Sequence, residues 1–221
     1  MTRILLALSA AALALSACAG GDGGYGGFGS NRFTLRDARE HEVARTMRVT
    51  PTIRWNRVPR QLRDIPREEN WTLHGLPLDG LTFIGGLEDG RPLVRWQRRQ
   101  DLRQVPNFRA DMSPPEIASM IESFYRIRAG SVSFTMTGLQ PRIFLGRPGF
   151  QYDYEHLGSD ELARRGRVVG TVIGDRLYMI LFDAPKRHFF DEIIPEVERI
   201  VTSARLDGNN LRENEARAPS G

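Results

Sequence analysis

The feature that most constrains the fold is a pair of apolar segments separated by a short turn. Residues 168–173 and 177–182 lie on either side of Gly174 and Asp175. Apolar segments of this length joined by Gly-Asp predict a β-hairpin, because glycine readily adopts the positive φ that tight turns require. The second segment is apolar at odd and even positions alike, so both faces of that strand need cover. We therefore expect this hairpin at the centre of a sheet that is packed on each side.

Two segments predict helices. Ser113, Pro114 and Glu116 have the order of an N-cap, a first-turn proline and the third residue of a capping box. Residues 117–125 then place apolar side chains at helical spacing, and Gly130 ends the segment. Residues 189–204 predict a C-terminal helix that is interrupted by Pro195 or begins near it.

Shorter β-like segments account for much of the remaining chain. Residues 81–84 and 92–96 flank Asp89 and Gly90, which predicts a second hairpin. Further strands are expected within residues 47–58 and at 71–75, 132–136, 142–145 and 150–155. The prediction is a single α+β domain over residues 31–206, with an antiparallel sheet sandwiched between helices. Residues 207–221 are polar and are expected to form a disordered tail.

The N-terminus predicts export and lipidation. Arg3, an apolar run over residues 4–15 and the small residues Ser16 and Ala17 have the order of a secretory signal peptide, residues 1–17. The sequence Leu-Ser-Ala-Cys that ends at Cys18 resembles the lipobox of bacterial lipoproteins. That resemblance implies cleavage after Ala17, acylation of Cys18 and, because Ala19 is not aspartate, sorting to the periplasmic face of the outer membrane. Two or more acyl chains are enough for stable anchoring.

Cys18 is the only cysteine, so the chain has no intramolecular disulfide and no cluster of thiolate ligands for zinc. Residues 18–30 follow as the lipidated cysteine and a tether in which seven of the twelve residues after Cys18 are glycine. A flexible segment of that length reaches about 20 Å. The tether contains a G-x-G-x-x-G pattern, but no strand precedes it and no helix begins in it, so no dinucleotide cofactor is predicted.

The C-terminal part of the chain resembles a known superfamily. The block RGRVVGTVIGDRLYMILFDAP, residues 165–185, and the helix end IVTSARL, residues 200–206, are similar to the C-terminal half of PsbP-like proteins. These include photosystem II extrinsic proteins, a Ran-binding nuclear import factor and small bacterial envelope lipoproteins. The resemblance covers about the last ninety residues and implies an α/β/α sandwich, and it includes no catalytic motif.

Positive charge is concentrated in the N-terminal half of the domain. Residues 31–109 contain 16 arginines and 10 acidic residues, whereas the later residues contain 14 basic and 16 acidic ones. A basic face on a tethered domain suits anionic lipid, peptidoglycan carboxylates or an acidic protein. The alternative is a solvated, arginine-rich surface without a specific partner. Nucleic acid is not an expected partner in the periplasm.

No residue pattern predicts catalysis or a metal site. The four histidines, His41, His74, His156 and His188, lack the spacing of a zinc site. Neither a serine elbow nor a phosphate-binding loop is present. We therefore predict no cofactor, no metal and no enzymatic activity. An enzyme acting on peptidoglycan or lipid remains the alternative, with Asp153, Glu155 or His74 as its acid-base group.

A candidate binding surface follows from aromatic and cationic residues. If the second hairpin forms, Trp71 and His74 lie near Arg91, Arg95 and Trp96, in a groove suited to a glycan or an anionic head group. The other interpretation places Trp71 and Trp96 in the core. The sequence predicts a non-catalytic outer-membrane lipoprotein that binds another envelope component, most readily a protein. A third possibility is a small-ligand carrier, which requires a closed apolar pocket.

Overall fold

The computed structural model of the protein describes residues 32–98, 100–158 and 160–208. The signal peptide predicted to end at Ala17, the proposed lipidation site Cys18 and its tether lie outside these residues, as does the tail from residue 209.

An eight-stranded antiparallel sheet dominates the fold. Its strands are β1 Thr34–Arg36, β4 Trp55–Arg57, β5 Glu68–Thr72, β6 Gly80–Glu88, β7 Ser133–Phe144, β8 Arg147–Leu157, β9 Ala163–Ile173 and β10 Arg176–Pro185. Across the sheet their order is β1-β4-β5-β6-β10-β9-β8-β7. Residues on the β5, β6 and β10 strands therefore lie side by side although they are far apart in the chain.

The central hairpin is confirmed. Strands β9 and β10 pair with Arg176 opposite Ile173, and Gly174 has a φ of 61° in the turn between them. Strand β10 lies between β9 and β6, and most of its residues are buried. A strand that is apolar on both faces thus has sheet neighbours at both edges and packed side chains on both faces.

A smaller sheet packs near the C-terminus of the domain. It contains β2 His41–Val43, β3 Met47–Val49 and β11 Arg205–Leu206, with β3 in the middle. Asp207 continues this contact, because its backbone N–H donates to the Thr46 carbonyl at 2.8 Å and its carboxylate binds Arg48 at 2.6 Å. The order of the domain therefore reaches the first residue of the predicted tail.

Two helices cover the large sheet. Helix α1, Pro114–Ile127, begins after Ser113, and the Glu116 carboxylate accepts hydrogen bonds from the Ser113 N–H and Oγ, both at 2.7 Å. The predicted start of this helix is confirmed. Helix α2, Phe189–Ser203, includes Pro195 and continues through it, so the proline neither begins nor interrupts the helix.

The core has one layer on each face of the large sheet. Helix α2 and the small sheet pack against one face, around Trp55, Trp71 and Phe83. Helix α1 packs against the other face, together with the long loop between β6 and α1, around Phe108 and Tyr152.

The predicted α/β/α sandwich is wrong. Strand accounts for 42% of the structure and helix for 17%, so the described part of the chain is a large antiparallel sheet with two helices rather than a sheet between helical layers. The reason lies in what else covers the sheet. The small sheet shares one face with α2, and on the other face the non-helical residues Leu93, Val105 and Phe108 are buried beside α1.

The second hairpin is also wrong. Strand β6 pairs with β5 and β10, and residues 92–96 contribute only an isolated bridge between Pro92 and Asn107. Gly90 turns the chain, but its N–H donates to the carbonyl of Phe108 within the loop that precedes α1. Strand β10, almost a hundred residues later, takes the place beside β6 that was predicted for residues 92–96, because β10 is more apolar on both faces than those residues.

Candidate functional site

A cavity of about 520 Å³ lies between α1 and the large sheet. Strands β5, β6 and β10 form its floor, α1 forms one wall, and two loops form its rim. Most lining side chains are apolar, among them Val58, Ile65, Ile84, Leu93, Val94, Ile121, Phe124 and Leu181. A cavity of this size with a few polar groups has the general character of a small-molecule site.

A polar strip crosses the floor. The Thr82 hydroxyl donates to the Asn70 side-chain carbonyl at 2.6 Å, and the Asn70 amide donates to the Glu68 carboxylate at 2.9 Å. The Ile65 N–H donates to the other Glu68 oxygen at 2.9 Å. Strand alternation explains the arrangement: Glu68 and Asn70 share one face of β5, and Asn70 pairs with Thr82 of β6. Burial raises the pKa of the Glu68 carboxyl, with a smaller contribution from Asp64.

Tyr125 and Asp183 line another part of the cavity. The Tyr125 and Tyr154 hydroxyls are 2.5 Å apart, and Tyr154 donates to the Asp183 carboxylate at 3.1 Å. Arg164 binds the second Asp183 oxygen at 2.9 Å. Burial raises the pKa of both tyrosines, so the two hydroxyls stay protonated at neutral pH and act as donors. Asp183 therefore enters the cavity with its charge already paired.

Ser131, His156 and Asp183 form a hydrogen-bonded chain. Ser131 Oγ is 3.0 Å from His156 Nδ1, and His156 Nε2 is 2.8 Å from the Asp183 carboxylate. The residue types match a hydrolase triad. However, Ser131 and His156 are buried, and neither lines the cavity. The arrangement connects the end of α1 to β8 and β10 and holds Asp183 in place.

Two loops form the rim of the cavity, and we call them the mouth loops: residues 58–65, and residues 94–98 with 100–104. The Arg95 guanidinium lies over the Trp96 ring at 4.8 Å from the ring centre and donates to the Asp64 carbonyl at 3.5 Å. Arg128, at the end of α1, donates to the Trp96 carbonyl at 3.5 Å. These contacts connect both loops and the helix around the opening.

The structure brings together only part of the predicted binding surface. Arg95 and Trp96 adjoin each other and line the cavity. Trp71 is 0% exposed and points to the opposite face of the sheet, where it packs on Trp55 and Phe83. Strand alternation is the physical reason, because Trp71 is one residue away from Asn70 on the cavity face. The predicted groove that contains both Trp71 and Trp96 is therefore wrong.

His74 and Arg91 also lie outside the cavity lining. His74 follows β5 and contacts Asp79, whose carboxylate is 3.0 Å from the His74 Nδ1, and the ring packs on Phe189 of α2. Arg91 is exposed, and its backbone bonds to Phe108 in the loop before α1. Of the five residues in the predicted surface, Arg95 and Trp96 remain as candidates.

The candidate acid-base residues have separate partners. Asp153 binds Arg165 and Arg167, Glu155 binds Lys186 at 2.8 Å, and His74 binds Asp79. None of Asp153, Glu155 and His74 lines the cavity between α1 and the sheet.

Among the residues that the structure describes, no group of three or more His, Cys, Asp or Glu side chains is placed to hold a metal ion. Within the same residues, no helix has the length and apolar character needed to cross a membrane.

Several residues that line the cavity were not predicted from the sequence as binding residues: Glu68, Asn70, Thr82, Tyr125 and Asp183. A signal for Asp183 was present, since it is a carboxylate at the end of an otherwise apolar central strand. Tyr125 was assigned to the core face of α1, which is correct but does not reveal a cavity. No family model matches this chain, and a search of curated proteins found no match either.

Proposed function

We propose that the protein is a lipid-anchored binding module of the cell envelope whose cavity holds one small amphipathic molecule. The observation that carries the proposal is the cavity itself, with about 520 Å³ of space, mostly apolar walls and a few placed polar groups. Pockets of this size and composition typically enclose a small ligand. The anchor is the acylated Cys18 that the N-terminal sequence predicts, at the periplasmic face of the outer membrane.

The charges around the cavity favour an anionic head group. Arg63 and Arg95 line the opening, are exposed and form no ion pair with a described carboxylate, whereas the neighbouring Arg128 is paired with Asp101. Inside, Asp183 is already paired with Arg164, and the Glu68 carboxylate already accepts hydrogen bonds from the Asn70 amide and the Ile65 N–H. An apolar body therefore fits the interior, while a carboxylate or phosphate fits the arginines at the opening.

This proposal selects among the functions left open by the sequence. A carrier of small ligands requires an apolar space that shelters the ligand, and the partly open cavity between α1 and the sheet supports this function. An enzyme built on Asp153, Glu155 and His74 requires a shared cleft, and these residues have separate partners. A protein partner in the envelope stays a prediction and is compatible with an occupied cavity.

Photolabelling of the full chain in membranes tests the proposal. The probe is a fatty acid with a diazirine in its acyl chain, and peptide mapping identifies the labelled residues. We expect labelling on α1 around Ile121 and Phe124. Ala129→Trp adds a bulky side chain at an exposed position that lines the cavity, and it should reduce this labelling at least severalfold.

Val132→Trp is the matched control. Val132 is three residues further along, is 68% exposed and is outside the cavity lining. Its labelling should equal that of the wild-type protein. Labelling that is confined to the exterior, or that is unchanged in Ala129→Trp, would contradict a ligand in the cavity.

A further inference from the structure

The mouth loops expose large apolar side chains. Leu62 is 78% exposed, Trp96 is 63% exposed and Leu102 is fully exposed. Leu62 lies between Gln61 and Arg63, which both line the cavity, and Leu102 follows Asp101, which binds Arg128. Exposing apolar side chains to water at loop tips is unfavourable, and their transfer from water into an apolar phase is favourable.

Unpaired positive charge surrounds these apolar residues. Arg60, Arg63, Arg95, Arg98 and Arg103 are exposed on the two loops. Within the described part of the chain, no carboxylate lies within ion-pair distance of any of these five side chains, although Arg60 attracts the Glu68 carboxylate from further away.

The two acidic residues of the mouth loops offset this charge only in part, and neither forms an ion pair with one of the five arginines. Asp64 is buried and accepts a hydrogen bond from the Gln61 N–H, and Asp101 binds Arg128 and the Arg98 N–H. Arginines without an ion pair to a described carboxylate also occur elsewhere on the domain, for example the exposed Arg147 and Arg187. The mouth loops differ because five such arginines lie beside exposed apolar side chains.

The chain enters the domain beside the first mouth loop. Thr34 of β1 pairs with Arg57, the last residue of β4, and the loop begins at Val58. A membrane anchor that precedes β1 would bring this part of the domain close to the bilayer. A glycine-rich tether with a reach of about 20 Å is long enough for the loops to contact the surface and short enough to keep them near it.

We propose that the mouth loops dock on an anionic phospholipid surface, with Trp96 at the level of the head groups and the cavity opening toward the bilayer. Tryptophan suits this boundary because its ring is apolar and its N–H is polar. The arginines are attracted to anionic lipid over a Debye length of about 8 Å at physiological salt. Docking of this kind does not require an occupied cavity.

Tryptophan fluorescence offers a selective test, because Trp96 is the exposed tryptophan whereas Trp55 and Trp71 are 0% exposed. The full chain is combined with vesicles of phosphatidylcholine, with or without phosphatidylglycerol, that contain brominated phosphatidylcholine as a short-range quencher. With phosphatidylglycerol present, we expect a shift of emission to shorter wavelength and quenching. Both should be absent in Trp96→Phe and reversed at high salt.

Charge-matched variants decide whether the mouth loops are responsible. Arg98→Ser/Arg103→Ser should lower the quenching at least twofold. Arg147→Ser/Arg187→Ser removes the same charge at exposed sites outside the mouth loops and should leave the quenching unchanged.

Three results would overturn docking of the mouth loops. These are an absence of quenching on phosphatidylglycerol vesicles, equal losses in the two double variants, and crosslinking of the loops to an acidic protein without lipid quenching. Because the quenching measures contact of Trp96 with lipid, its outcome is separate from photolabelling of the cavity.

Discussion

At the scale of single residues, glycine and aromatic side chains cooperate on the cavity face of the sheet. Gly166 pairs with Tyr154, and Gly170 pairs with Phe150, in the β8–β9 ladder. The Tyr154 ring occupies the space above Gly166, so that its hydroxyl meets Tyr125 and Asp183. A side chain at Gly166 would displace this ring and with it the polar group at the cavity wall.

Gly166→Ala is expected to destabilise the protein by about 2 kcal/mol, because the added methyl overlaps the Tyr154 ring in a packed core. The free energy of unfolding in urea measures this. Gly208→Ala is the control, since a methyl there meets no atom within 4 Å. Equal stability of Gly166→Ala and the wild type would show that Tyr154 is not held above Gly166.

A second residue-scale feature is the ion-pair network of Asp153. Its carboxylate binds Arg167 at 2.6 Å and Arg165 at 2.8 Å, and Arg167 continues to Glu198 of α2 at 2.8 Å. Burial raises the pKa of Asp153, but the hydrogen bonds and charges of Arg167 and Arg165 outweigh it, so the folded-state pKa is lowered.

A lowered folded-state pKa predicts a stabilisation that is present at neutral pH and lost in acid. Relative to Asp153→Asn, the wild type should be more stable by about 2 kcal/mol near pH 7. The difference should shrink as the pH falls below the unfolded-state value of about 3.9, and it should vanish below the folded-state pKa. Urea unfolding from pH 7 to pH 2 measures it. Asp111→Asn, at an exposed site, should show no such dependence. A difference that stays constant with pH would contradict this role.

The fate of single side chains was only partly predictable. Arg95 and Trp96 were selected as binding residues, and they do lie beside each other at the cavity. Trp71 was selected by the same reasoning and is buried on the other face. Composition identifies residues that are suited to binding, but the face of the sheet that each side chain occupies depends on the register of its strand. A shift of the register by one residue moves every side chain of the strand to the opposite face.

At the scale of elements, α2 joins the small sheet to the large one. Glu196 is buried, and its carboxylate accepts the Thr52 N–H at 2.7 Å, the Thr52 hydroxyl and the Ile53 N–H at 3.4 Å. These residues belong to the segment between β3 and β4. One side chain of α2 thus fixes the segment that leads from β3 of the small sheet to β4 of the large sheet.

Removing the Glu196 carboxylate should make the segment between β3 and β4 more mobile. Glu196→Ala leaves the Thr52 N–H without its acceptor, so we expect a loss of about 2 kcal/mol in stability and faster hydrogen exchange at Thr52 and Ile53. Glu192→Ala, on the exposed side of the same helix, should change neither. Unchanged exchange at Thr52 in Glu196→Ala would mean that another group satisfies its N–H.

Elements defined by local sequence were predicted well, and elements defined by distant pairing were not. The α1 start and the β9–β10 hairpin depend on a capping residue and a turn within a few residues. The expected hairpin over residues 81–96 had a suitable turn, but β6 pairs instead with β5 and β10. Which distant strands pair depends on which of them bury the most apolar surface together, and a local sequence pattern does not give this information.

At the scale of the whole molecule, the cavity exists because three distant parts of the chain meet. The floor comes from β5, β6 and β10, the wall from α1 and the rim from the mouth loops. The sequence suggested a carrier only as one of several functions, since none of these parts has a distinctive motif. The predicted α/β/α sandwich failed at this scale for a related reason, because loops and a small sheet cover the apolar faces that were assigned to helices.

The most direct measurement is native mass spectrometry of the full chain after gentle release from the membrane. We expect a chain that begins at an acylated Cys18 and carries one further amphipathic molecule, which dissociates at higher collision energy. Ala129→Trp should retain the acyl mass and lose the second molecule, whereas Val132→Trp should retain both. A wild-type protein with no dissociable molecule would contradict the binding function, and a chain without acyl mass on Cys18 would contradict the anchor.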